Sequence, residues 1–105
     1  MGRFLAKGVR MGTSTPWGVA DYSERIARGI MRYRTPGHGG YHLSPTRQAE
    51  MPEALRLDGG WYEEDCDWAR VALGFPGFFN AIEREAAHDT GRNWWPDAYE
   101  AFTGR

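Results

Sequence analysis

The hydrophobic pattern of this chain changes period at Ser44-Pro45, and that change constrains the fold more than any single motif. Before it, residues 17–25 and 30–35 read as strands. In the second of these, alternation puts Ile30, Arg32 and Arg34 on one face and Met31, Tyr33 and Thr35 on the other. Arg25-Ile-Ala-Arg-Gly29 is a short connection ending on a glycine free to take positive φ, so the two strands form a hairpin. Pro36-Gly-His-Gly-Gly40 reads as a glycine-rich turn, and residues 41–43 as a third short strand or extended edge. After it the chain reads as helical. Ser44 is a good N-cap and Pro45 a good first helical residue, in a helix that Pro52 perturbs at Met51.

Asp58-Gly-Gly60 then breaks the chain. The pattern predicts a helix over 61–73 that stops at Gly74, and another from Pro76 to His88 with Phe78, Phe79, Ile82 and Ala86 on its apolar side, ended by Thr90-Gly91. Residues 93–96 read as a loop. A last short helix over 96–102 is closed by Gly104. Strands first and helices after predict an α+β fold: a small antiparallel sheet of two or three strands followed by three or four helices packed on one face. Residues 1–14 show no clean period and read as a flexible tail, leaving 15–105 as a single domain.

A chain of 105 residues with 41% hydrophobic and 14% aromatic side chains has enough apolar material for one core. The single cysteine, Cys66, excludes an intrachain disulfide and a four-cysteine zinc site, and points to a reducing cytoplasm. No 18-residue apolar run is present, so no transmembrane helix and no membrane partner are expected. The net charge of −1 hides a division: residues 1–50 carry eight Lys/Arg against three Asp/Glu, whereas 51–105 carry five against eleven. Such halves either face each other or offer a charged face to a partner.

On a helical wheel over 61–73, Glu63 and Asp67 fall outside with Arg70, Glu64 lies at the border, and Asp65 falls within the apolar arc. A buried carboxylate needs a partner or a raised pKa. The first-turn N–H groups, a structural ion pair or hydrogen bond, and a catalytic or metal-binding role all meet that need. Cys66 reads as a small core residue.

His38 and His42 flank Gly39-Gly40-Tyr41. The glycines argue against a helix, and in an extended segment both histidines share a face. The glycines serve either a tight turn or close approach of backbone N–H groups to an anion. With Asp65 or Glu64 the two histidines would make a two-His, one-carboxylate metal site or a His–carboxylate acid/base pair. Neither spacing is a specific metal signature. His88 falls on the polar side of its helix and reads as solvated. Ser44 beside His42 is explained by capping without nucleophilic chemistry. Arg25, Arg28, Arg32 and Arg34, with Tyr22, Tyr33 and Trp17, form a basic hairpin that suits phosphate contacts and stacking, but the whole chain has a pI near 6.3, far from a basic footprint.

Thr15-Pro-Trp-Gly18, Gly37-His-Gly-Gly-Tyr-His-Leu-Ser44, Gly59-Gly-Trp-Tyr-Glu-Glu-Asp-Cys-Asp-Trp-Ala69, Phe75-Pro76 and Trp95-Pro-Asp-Ala-Tyr-Glu100 together resemble a small domain of unknown function found in proteins of bacteria, their plasmids and their phages. The likeness covers about residues 14–103 and implies a habitat rather than a mechanism. By analogy with accessory proteins of mobile elements, the expected function is binding and inhibition of a host defence protein or ribonucleoprotein complex, anti-CRISPR fashion, in the host cytoplasm, without a cofactor or metal. The binding residues would be Glu63, Glu64, Asp67, Trp61, Tyr62, Tyr41, Arg32 and Arg34. Two alternatives remain open: a small metal-dependent or His/carboxylate hydrolase using His38, His42 and Asp65, and a nucleic-acid-binding domain using the arginine hairpin.

Overall fold

A computed structural model describes residues 3–4 and 10–104. Much of the expected 1–14 tail therefore lies outside the described residues. Strand β1 (Arg3–Phe4) pairs antiparallel with β2 (Arg10–Met11), and β3 (Ser14–Thr15) with β4 (Gly18–Val19). The main sheet has four antiparallel strands in sequence order: β5 (Tyr22–Ala27), β6 (Ile30–Arg34), β7 (Gly39–Leu43) and β8 (Trp61–Glu63). The helices are α1 (Pro45–Glu50), α2 (Trp68–Gly74), α3 (Ala81–Trp94) and α4 (Pro96–Thr103), with short 3₁₀ turns at Glu53–Leu55, Asp58–Gly60 and Pro76–Phe78. The fold is α+β.

The β5–β6 hairpin turns through Arg28 and Gly29, whose φ of +78° suits glycine. Alternation in β6 holds: Ile30 is fully buried, while Tyr33 on the opposite face touches Trp61. Ser44 caps α1 by accepting the Arg47 N–H at 3.2 Å. That helix ends at Met51, whose ψ of 133° is extended, as Pro52 requires.

One face of the sheet carries Ile30, Leu43 and Tyr62. These pack with Met51, Leu55, Val71 and Ala72 of the helical half, all 0–1% exposed. Complete burial of one such large side chain is worth about 1.5–3 kcal/mol, so this layer fixes the sheet against the helices. Tyr62 also spends its hydroxyl internally, accepting the Leu57 N–H at 3.0 Å and donating to Gln48 Oε1.

Two of the expected helices differ in the structure. The first half of the segment 61–73 is not helical: Trp61, Tyr62 and Glu63 are strand and pair with His42, Tyr41 and Gly40, residues 64–67 turn, and only then does α2 begin. Bulky aromatic residues suit a pleated surface, and pairing with β7 outweighs the helical phase of the longer segment. The second error concerns the helix expected from Pro76 to His88. It starts instead at a capping box, with Asn80 and Glu83 bonding each other's backbone N–H, and runs through Gly91 to Trp94. Phe78 belongs to the preceding 3₁₀ turn, so Phe78 and Ile82 do not form one stripe; they are 45% and 80% exposed. The buried positions of α3 are Ala87 and Gly91. A Cβ on Gly91 would lie 2.7–2.9 Å from the Tyr99 and Trp95 rings, so this glycine admits α4 rather than ending α3.

Candidate functional site

The sheet face opposite the helix layer is built by strand alternation from His42, Trp61, Tyr33 and Gly40. The turn joining β3 to β4 lays Trp17 across it. Trp61 sits at the centre, with ring centroids 5.6 Å from Trp17, 5.6 Å from Tyr33 and 4.4 Å from His42. All four side chains are half-buried. The two glycines of Gly39-Gly40 are strand residues rather than part of the turn, and neither of them has positive φ. Their role is steric: a Cβ on Gly40 would stand 2.3 Å from the Tyr62 carbonyl oxygen and 2.6 Å from the Trp17 ring, and one on Gly39 2.6 Å from the Tyr33 carbonyl oxygen.

The turn itself is residues 35–38. Buried Thr35 closes it, its N–H and its hydroxyl both donating to the His38 carbonyl oxygen at 2.7 Å while Oγ1 accepts the His38 N–H at 3.1 Å. His38 is thereby held at the end of the sheet where β8 runs out, with Nδ1 3.8 Å from Glu63 Oε2. Glu63 Oε1 accepts the Asp65 N–H at 3.0 Å. One ligand-capable atom each of His38, Glu63 and Asp65 lies within 4.8 Å of the others. Burial raises the Glu63 carboxyl above its ordinary range, with the Asp65 charge adding to the effect and the Asp65 N–H opposing it.

The expected inward Asp65 does not exist: it is exposed on the 64–67 turn, because the wheel that turned it inward has no helix beneath it. His38 and His42 do share a face, but four steps along the extended chain separate them by roughly 13 Å, and the His42 ring packs on Trp61. Burial lowers the His42 pKa. The structure thus groups His38 with Glu63 and Asp65, and leaves His42 in the aromatic strip. Glu64 is exposed near Gly39, at a shallow cavity of ≈ 150 Å³ lined also by Arg32, Arg34, Tyr41 and Trp68.

The other site candidates separate by burial. Tyr62 is core and offers no surface. Tyr41 faces the helices, 5.8 Å from Phe79, with burial raising its pKa. Asp67 pairs with Arg70 at 3.4 Å, and Arg70 lies over the Trp95 ring at 4.5 Å. Burial, then Asp67 and Glu63, raise the Cys66 thiol, so it is not an activated thiolate. Arg32 and Arg34 stand 3.8 Å from Glu24 and Asp21, and Arg34 lies over Tyr22, so two of the hairpin's four arginines are matched locally. His88 is not simply solvated: its Nδ1 meets the Tyr99 hydroxyl at 2.7 Å. Sequence reasoning gave no site role to Ile82 or to Trp94, which are 80% and 69% exposed. Only the small residues Ala87 and Gly91, one turn apart, hinted that α3 packs by another face.

No helix among the described residues is long and apolar enough to cross a membrane. No curated protein and no solved structure matches the chain. A family model, Domain of unknown function (DUF7007), matches residues 10–105, and the chain belongs to that family.

Proposed function

We propose that this chain is a stoichiometric binding protein of a phage or mobile element that inhibits a host defence complex, and that the aromatic sheet face with its acidic border is the surface it offers. The observation that carries the reading is the strip of Trp17, Tyr33, His42 and Trp61, half-buried on the face away from the helices and ending at the acidic turn after Glu63. Rigid aromatic rings anchor interfaces at low entropic cost. Glu64 and Asp65 are exposed, and neither pairs with a Lys or Arg among the described residues. Acids so placed attract a basic partner, such as the nucleic-acid-binding surface of a ribonucleoprotein. Their position on an open turn, rather than in a closed pocket, favours binding over hydrolysis.

The test is capture from host lysate by the wild-type chain and by a Glu64→Lys, Asp65→Lys double variant, followed by association kinetics with the recovered partner. Asp67 is left alone because its reversal would break the Arg70 pair. The expected result is a specific complex whose association rate falls at least about tenfold on reversal and whose affinity weakens with salt. Recovery of no partner, or equal binding by the reversed protein, refutes the reading.

A further inference from the structure

We propose that His38, Glu63 and Asp65 form a binding site for one divalent transition-metal ion of the zinc class. The inference goes beyond the binding function above, does not rest on it, and departs from the sequence expectation of no bound metal. Three features carry it.

The first is convergence from separate backbone segments. His38 comes from the turn before β7, Glu63 from the end of β8 and Asp65 from the turn after it, yet one donor atom of each lies within 4.8 Å of the others. Two ligands about 2.1 Å from a tetrahedral zinc stand roughly 3.4 Å apart. The His38 Nδ1 to Glu63 Oε2 distance of 3.8 Å is already near that value. Small rotations of the exposed His38 and Asp65 side chains supply the remainder.

The second is preorganisation. The backbone of His38 is fixed by its hydrogen bonds in both directions with the buried Thr35. Glu63 is held by the β7–β8 ladder and by the Asp65 N–H on Oε1, which leaves Oε2 towards His38. Holding ligands before the ion arrives reduces the ordering cost of binding.

The third is donor chemistry. One imidazole nitrogen and two carboxylates suit zinc, cobalt or nickel, whereas magnesium and calcium favour all-oxygen shells. Two carboxylates face one another here with no Lys or Arg paired to either among the described residues, so a dication would relieve their repulsion. Three protein ligands leave the remaining position to water or to a side chain of a partner.

The test is calorimetric titration of the metal-stripped full chain with Zn²⁺ and, separately, Mg²⁺, with visible absorption on adding Co²⁺. One Zn²⁺ per chain and a cobalt spectrum are expected. His38→Ala and Glu63→Gln should each weaken zinc binding at least about tenfold, while Glu64→Gln and His88→Gln leave it unchanged. Should His38→Ala fail to fold, Asp65→Asn at an exposed position reports the same loss. The proposal is overturned if no zinc binds at about 100 μM, if the ligand variants bind as the wild type does, if Cys66→Ser abolishes binding, or if Mg²⁺ binds as tightly as Zn²⁺.

Discussion

Replacing Gly40 with Ala tests the construction of the aromatic face. The added Cβ would stand 2.3 Å from the Tyr62 carbonyl oxygen, 3.0 Å from the Glu63 Cα and 2.6 Å from the Trp17 ring. Ordinary contact begins near 3.4 Å, so β8 must retreat from β7 by about 1 Å and Trp17 must lift off the strand. Overpacking of this kind costs about 1–3 kcal/mol. The ladder adds to that cost, since only three residue pairs join β7 to β8 and each weakened hydrogen bond forfeits about 1 kcal/mol. Against these stands the relief of strand glycine entropy, about 0.5–1 kcal/mol. The net expectation is a loss of about 2–4 kcal/mol, which for a domain of this size lowers Tm by roughly 10–20 °C. Urea unfolding followed by tryptophan fluorescence and by circular dichroism measures it. Gly37→Ala is the control: nothing lies within 4 Å of its Cβ, and its stability should change by no more than about 0.5 kcal/mol. A Gly40→Ala protein as stable as the Gly37→Ala protein would refute the steric role assigned to the Gly-Gly pair.

Tyr62→Phe keeps the core volume but strips a hydroxyl that serves two partners, leaving the Leu57 N–H and the Gln48 amide short of one bond each. Denaturant unfolding should show a loss of about 1–3 kcal/mol, and an unchanged midpoint would contradict the network. His42 is held with its pKa below the ordinary value by burial, so the unfolded chain takes up the proton first as pH falls. Its contribution to stability is therefore complete above about pH 6.5 and declines below it. Unfolding midpoints compared between pH 8 and pH 5.5 should show a smaller drop for His42→Asn than for wild type, and equal drops would show that the ring carries no such linkage.

Much of the architecture was legible because local signals and tertiary structure agreed. Ser44-Pro45, Pro52, Gly29 and Gly104 each act where backbone geometry demands that residue type. The β6 alternation was readable because Ile30 and Tyr33 face different environments across one sheet. One failure occurred where two periods fit the same letters. In 61–73 the apolar residues satisfy a helical arc throughout, and nothing local reveals that the first three belong to a strand whose partner lies twenty residues earlier. The candidate site suffered most, since its grouping depends on that pairing. His38 and the acidic run were found separately, but which acid meets which histidine is a register question.

That register is set from the core side. With a period of two, Tyr62 pointing into the helix layer forces Trp61 and Glu63 onto the outer face together. A slip of one residue would expose the Tyr62 ring, orphan its two hydrogen bonds and bury the Glu63 carboxylate, three costs that reinforce one another. Pairing of Glu63 with Gly40 then brings the carboxylate beside the Thr35-closed turn, which is where His38 stands. Trp61, paired with His42, is placed in the strip by the same register. The aromatic face and the His38–Glu63–Asp65 group are therefore two consequences of a single buried tyrosine. A surface change in one should leave the other in place, whereas a change at Tyr62 should loosen both.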